Sequence, residues 1–238
     1  TTGGYNVAMG VDALAANTSG GNNTAVGYGS LLVNTTGVHN NSFGVLAMDA
    51  NTTGGYNAAF GNNALGGNTT GVQNVGLGHG ALTANTTASN NTAVGNAALL
   101  VNTTGTQNTA VGALALDAST TASYNVAVGY SAGSAITTGA ENIMVGGNAG
   151  LALTDGTQNV LLGRSAGGGN NMSYNTFVGD LSGQNTSGNS NTYVGYSTNS
   201  SNSGANNTIL GNDGAPSSTS VSNEITLGNG SIATLRCH

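Results

Sequence analysis

The 238-residue chain is long enough for one or two globular domains, but 41 glycines, 4% charged residues, one Pro and no Trp exclude an ordinary one. Lys is absent and Arg164 and Arg236 are the only cations, so at a formal charge of −6 no basic patch exists to hold a nucleic acid. Cys237 is alone, which excludes a disulfide framework within one chain, and no apolar run approaches the ~20 residues of a membrane span.

Taken in order, the chain repeats one pattern, Asn-x-x-x-Gly. Its glycines stand at Gly10, Gly27, Gly44, Gly61, Gly78, Gly95, Gly112, Gly129, Gly146 and Gly163, at one constant step of 17. Gly179, Gly195 and Gly211 follow at steps of 16, and Gly228 at 17. Four residues before each glycine comes Asn6, Asn23, Asn40, Asn57, Asn74, Asn91, Asn108, Asn125, Asn142, Asn159, Asn175, Asn191 or Asn207; only the last unit differs, with Glu224. Dense Gly, Asn and Thr disfavour helices, while short strands of about five residues between Gly and Asn turns fit well. The expected fold is therefore all-β: a parallel β-solenoid, or β-roll, of 17-residue coils. At about 4.8 Å per coil, fourteen coils make a rod on the order of 65 Å long. Stacked Asn amides are expected to form a ladder along it.

Each glycine is preceded by a bulky apolar residue: Met9, Val26, Phe43, Phe60, Leu77, Val94, Val111, Val128, Val145, Leu162, Val178, Val194, Leu210 or Leu227. These read as an apolar spine inside the coils. One residue earlier the chain points to the opposite face. That row is small at first (Ala8, Ala25, Ser42, Ala59, Gly76, Ala93, Ala110, Ala127) and then large (Met144, Leu161, Phe177, Tyr193, Ile209). A second apolar face implies a partner, and small residues suit close approach about an axis, so the row is expected to line the axis of an elongated homotrimer.

Four residues after the glycine, Leu14, Leu31, Met48, Leu65, Leu82, Leu99 and Leu116 give way to Gly133, Gly150, Gly167 and Gly183, which reads as a tapering coil. The shaft is expected over 1–211, in 17-residue units to about 163 and 16-residue units after it. A strand and turn clasp is expected over 212–238, where residues 225–235 alternate on both sides of Gly228-Asn229-Gly230. Thr1 enters at the end of a repeat, so the chain reads as a segment of something longer.

Units such as Asn23-Thr24-Ala25-Val26-Gly27-Tyr28 and residues 125–133, Asn125-Val126-Ala127-Val128-Gly129-Tyr130-Ser131-Ala132-Gly133, resemble the repeats of trimeric phage tail fibres. They are also similar to the repeats in the heads of trimeric autotransporter adhesins. Residues 223–237, from Asn223-Glu224-Ile225 to Leu235-Arg236-Cys237, resemble the segment that precedes the self-cleaving intramolecular chaperone of phage fibres and tailspikes. The resemblance implies a structural fibre of a phage virion, extracellular, made with two identical chains and serving attachment to a host receptor, either glycan or protein. The alternative is a bacterial surface adhesin head; a third is an ice-binding or glycan-binding solenoid.

No catalysis is expected. Glycoside hydrolysis needs two carboxylates about 5–9.5 Å apart, and Asp12, Asp49, Asp117, Glu141, Asp155, Asp180, Asp213 and Glu224 are scattered. Asp49 and Asp117 share a phase but stand four coils apart, while Glu141 and Asp155 differ in phase. His39, His79 and His238 read as exposed turn residues rather than metal ligands, so neither metal nor cofactor is expected. The pairs beginning at Thr35, Thr52, Thr69, Thr86, Thr103, Thr120 and Thr137 recur at one phase, but adjacent Thr side chains alternate in direction, unlike a flat ice-binding array. Tyr28, Tyr130 and Tyr196 are the aromatic candidates for a receptor contact.

Overall fold

The computed structural model describes residues 2–198 and 201–231. Each repeat contributes one strand of three residues, from β1 (Val7–Met9) to β14 (Ile225–Leu227). The fourteen strands form one parallel sheet in chain order. The chain is thus an all-β parallel solenoid. Its strands are shorter than expected, because the repeat glycine ends each one. Gly27 holds φ at 128°, a region that side chains avoid, and a Cβ there would lie 2.5 Å from the Gly44 carbonyl oxygen of the next coil. The residue before each motif Asn is also left-handed, as at Tyr5 (φ 61°), Tyr56 (φ 60°) and Glu141 (φ 60°).

The register follows the glycine spacing. Val7 pairs with Thr24, Val160 with Thr176, and Thr208 with Ile225, so the step shortens by one at Thr176 and lengthens again at Ile225. β14 pairs in parallel with β13 (Thr208–Leu210), so the sheet continues beyond residue 211. The returning half of the expected clasp, residues 232–235, lies outside the described residues, as do Arg236, Cys237 and His238. Away from the sheet, backbone bonds still join each coil to the next, for example Leu31 N–H to Ala47 C=O at 3.1 Å and Thr35 N–H to Thr52 C=O at 2.9 Å. Backbone polar groups on several sides of the coil are thereby satisfied without any globular core around them.

The two faces of the strand are the reverse of the sequence reading. The middle residue of each strand points inward: Ala25, Ala59, Ala93, Ala110, Ala127, Met144, Leu161, Phe177, Tyr193 and Ile209 are all 0% exposed within the single chain. Ala8, in the terminal coil, is exposed. The bulky row faces out. Met9, Phe60, Leu77, Val145, Val194, Leu210 and Leu227 are exposed, while Val26, Phe43, Val94, Val111, Val128, Leu162 and Val178 are half-buried. The reason is the bore of the coil. So short a coil leaves room for two opposed side chains, and in the N-terminal half the Leu31-to-Leu116 row already supplies the large one. Ala is what fits opposite Leu.

This pairing also explains the change along the chain. Where the strand centre becomes Met144, Leu161 or Phe177, the opposite position becomes Gly150, Gly167 or Gly183. The conformation there is left-handed throughout, φ 51° at Leu31 and 62° at Gly133. Leu held in that region costs roughly 1–2 kcal/mol, which Gly avoids. Core volume therefore moves from one wall to the other from Met144 onward, and the coil itself then shortens by one residue from Thr176 to Thr208.

Candidate functional site

From Asn23 to Asn207 the motif asparagines are buried, and each bonds in two directions. Asn23 N–H donates to Asn6 Oδ1 at 2.9 Å, and Asn23 Nδ2 donates to Gly37 C=O at 2.8 Å. The same pair of bonds recurs at Asn40, Asn57, Asn74, Asn91, Asn108, Asn125, Asn142 and Asn159. In Asn175 the backbone bond goes to Asn159 Oδ1 at 3.1 Å, and Asn191 and Asn207 continue the row. Each amide thus accepts from the coil that follows and donates across its own coil through Nδ2, except at Asn175, whose Nδ2 donates to Asn159 Oδ1 and Ser173 C=O, both at 3.1 Å. Glu224 ends the row. Its N–H reaches Asn207 Oδ1 at 3.0 Å, and its carboxylate accepts from Ser217 N–H and Ser217 Oγ and from Thr226 Oγ1 at 2.8 Å. Those bonds hold the Glu224 carboxyl below the usual glutamate range.

A second amide ladder runs beside the first. Asn34 Nδ2 donates to Asn17 Oδ1, and Asn51, Asn68, Asn85 and Asn102 each donate to the Asn one coil before, at 2.8–3.1 Å. The sequence carried its signal, because the Asn of each Asn-Thr-Thr run recurs at the same step, but those runs read as turns. The row then changes to Ser119, Ile136 and Leu153, all buried.

The outer face of the sheet is the largest functional candidate. Strand ends alternate around the inward residue, so Val7, Val75, Val126, Ile143 and Ile225 join the bulky row in pointing out. The strip spans all fourteen strands, roughly 65 Å by 7 Å. Phe43 and Phe60 stack on it with centroids 4.8 Å apart. Exposed tyrosines stand beyond both strand ends. Tyr5, Tyr56, Tyr124 and Tyr174 precede the motif Asn; Tyr28, Tyr130 and Tyr196 follow the repeat glycine. The last three lie six and four coils apart, about 29 Å and 19 Å, so they form no shared platform.

The remaining polar candidates are dispersed. Gln158 Nε2 donates to Glu141 Oε2 at 2.9 Å. Partial burial raises the Asp49 and Asp117 carboxyls above the usual range. Arg164 pairs with Asp180 at 2.9 Å on the surface. His39 stacks on Tyr56 at 4.9 Å, and His79 contacts the Asn96 amide at 3.3 Å. Among the described residues, no three His, Cys, Asp or Glu side chains are grouped to hold a metal ion, and no helix is long and apolar enough to cross a membrane. The first Thr of each pair donates its hydroxyl to a carbonyl of the next coil, as Thr35 Oγ1 does to Thr52 C=O at 3.1 Å, while the second is exposed at Thr36, Thr53 and Thr70. This architecture is that of a structural or binding solenoid. No protein-family model matches the chain, and neither does any curated protein.

Proposed function

We propose that the chain is one subunit of a homotrimeric fibre shaft, extracellular and part of a phage virion, that carries host attachment without catalysis. The observation that supports this reading most is the outward apolar strip. The strip matches in area the largest apolar patch of an ordinary monomer, a kind of patch that is often functional, and its course along the full length of a rod fits a partner rod of the same length and repeat. Three copies about a long axis satisfy both conditions with closed symmetry. The seam is then the bulky row from Met9 to Leu227, not the small row from Ala8 to Ile209, which the chain uses for its own interior.

The repeat resembles those of phage fibres and adhesin heads alike, and residues 223–237 favour the fibre. Ice binding fits less well, because one hydroxyl of each Thr pair is already donated to the backbone. Light scattering or sedimentation on the purified chain tests assembly. Three chains that persist on dilution support the reading, and a monomer overturns it. Placing the chain in a virion rests on labelled antibody decorating particle fibres in micrographs, with adhesin-bearing cells as the rival outcome.

A further inference from the structure

We propose that coils nine to eleven carry a binding notch for one unit of a neutral, hydroxyl-rich polysaccharide. Five residues after the repeat glycine, successive coils place Leu151, Gly168 and Gln184; six residues after it, they place Ala152, Gly169 and Asn185. Coil ten therefore lacks two side chains that its neighbours have. A recess of about 210 Å³ opens there, bordered also by Asn148 and Ser165. The fold enforces the gap. A Cβ on Gly168 would lie 2.5 Å from the Gln184 carbonyl oxygen, and one on Gly169 would lie 1.6 Å from that of Thr186. These close approaches occur where the register step shortens, Val160 pairing with Ile143 on one side and with Thr176 on the other.

The walls define the ligand. The side-chain amides of Asn148, Gln184 and Asn185 and the Ser165 hydroxyl make no hydrogen bond with other described residues. Each amide offers both donor and acceptor, the pairing that vicinal sugar hydroxyls require. Leu151, 44% exposed, supplies an apolar surface for the C–H face of a ring. No charged residue lines the recess, and the adjacent Arg164 and Asp180 pair with each other at 2.9 Å. An uncharged ligand follows. The volume is below the ~300–1,000 Å³ of pockets for drug-sized molecules, which limits it to a single ring. Through Asn185 the recess adjoins a second concavity of about 230 Å³, lined by amides and hydroxyls including Ser187, Ser203 and Thr219. That concavity takes the next unit, so oligomers bind more tightly than monosaccharides. The notch belongs to one chain and stands independently of trimer formation.

The test titrates the full chain with neutral gluco-, galacto- and manno-oligosaccharides, with polygalacturonate and polysialic acid as charged controls, read by calorimetry or ligand-observed NMR. At least one neutral series binds, longer members more tightly, and the charged polymers bind more weakly. Asn148→Ala and Gln184→Ala each lower affinity about 3- to 10-fold, and Ala152→Trp, which fills the recess from its rim, abolishes binding. Asn96→Ala, removing an exposed amide elsewhere, changes nothing. Thermal melts check that each variant folds; if Ala152→Trp does not, the two amide truncations decide. No neutral sugar binding, binding unmoved by these substitutions, or charged polymers binding equally well would overturn the proposal. Light scattering on the same samples reports assembly separately.

Discussion

Phe177 and Gly183 occupy opposite walls of one coil, and a Cβ on Gly183 would lie 2.4 Å from Phe177 Cδ2. The ring fills the space that Leu fills from the other wall in the N-terminal coils. Phe177 also stacks on Tyr193 with centroids 4.7 Å apart, so the aromatic core is continuous between coils.

Phe177→Ala opens a cavity opposite a glycine and lowers stability by about 3–5 kcal/mol. Adding Gly183→Leu restores the Ala–Leu pairing of the first half and recovers part of the loss. The left-handed φ of 64° at Gly183 holds the recovery about 1 kcal/mol short of complete. Denaturation of the two single variants and the double variant gives the coupling directly. Additive effects would mean that the two positions do not share one space.

The second amide ladder stops at Asn102. Its Oδ1 and the Ser119 Oγ are both buried and have no hydrogen-bond partner. Ser119→Asn adds one rung and raises stability by about 1 kcal/mol. Asn85→Ala removes a middle rung, leaves its neighbours unsatisfied and costs about 1–3 kcal/mol. Thermal melts of both variants check the signs; a lower midpoint for Ser119→Asn counts against a ladder with an open end.

The two strand faces are separable by mutation. Leu77→Asp alters only the outer strip, so circular dichroism and coil packing persist while the native mass falls to that of one chain. Ala93→Asp places a carboxylate inside the coil and destabilises the monomer itself by at least about 3 kcal/mol. The reverse pattern would restore the bulky row to the interior.

Burial raises the Asp49 and Asp117 carboxyls above their ordinary 3.8. The folded chain therefore holds these protons more tightly than the unfolded chain. Stability falls as pH rises from about 3.8 through the raised folded values, and is flat above them. Asp117→Asn removes one of the two contributions, so it stabilises at pH 7 and has little effect at pH 3. Glu224 acts oppositely: its lowered value stabilises above the ordinary 4.5, and that support is lost as pH falls. Melting temperature against pH for the wild type, Asp117→Asn and Glu224→Gln separates the two trends.

The repeat alone determined the coil spacing and the parallel register, and it set the motif asparagines in one stacked row, but not that the recurring rung runs from a backbone N–H to Oδ1. In a solenoid each coil is templated by its neighbours, so spacing in sequence becomes position in space. Even the change of step after Gly163 is reproduced in the pairing of Val160 with Thr176. Alternation along a strand separates two faces but does not say which one is inside. Ala25 and Val26 differ in size, and in a globule the larger would be buried. Here closure of a narrow coil decided it, because Leu31 enters from the opposite wall and leaves room only for Ala25. The notch at Gly168 was equally hidden. The Gln184 and Thr186 carbonyls of the next coil press on Gly168 and Gly169, so contact through space, not order along the chain, sets what each position can hold.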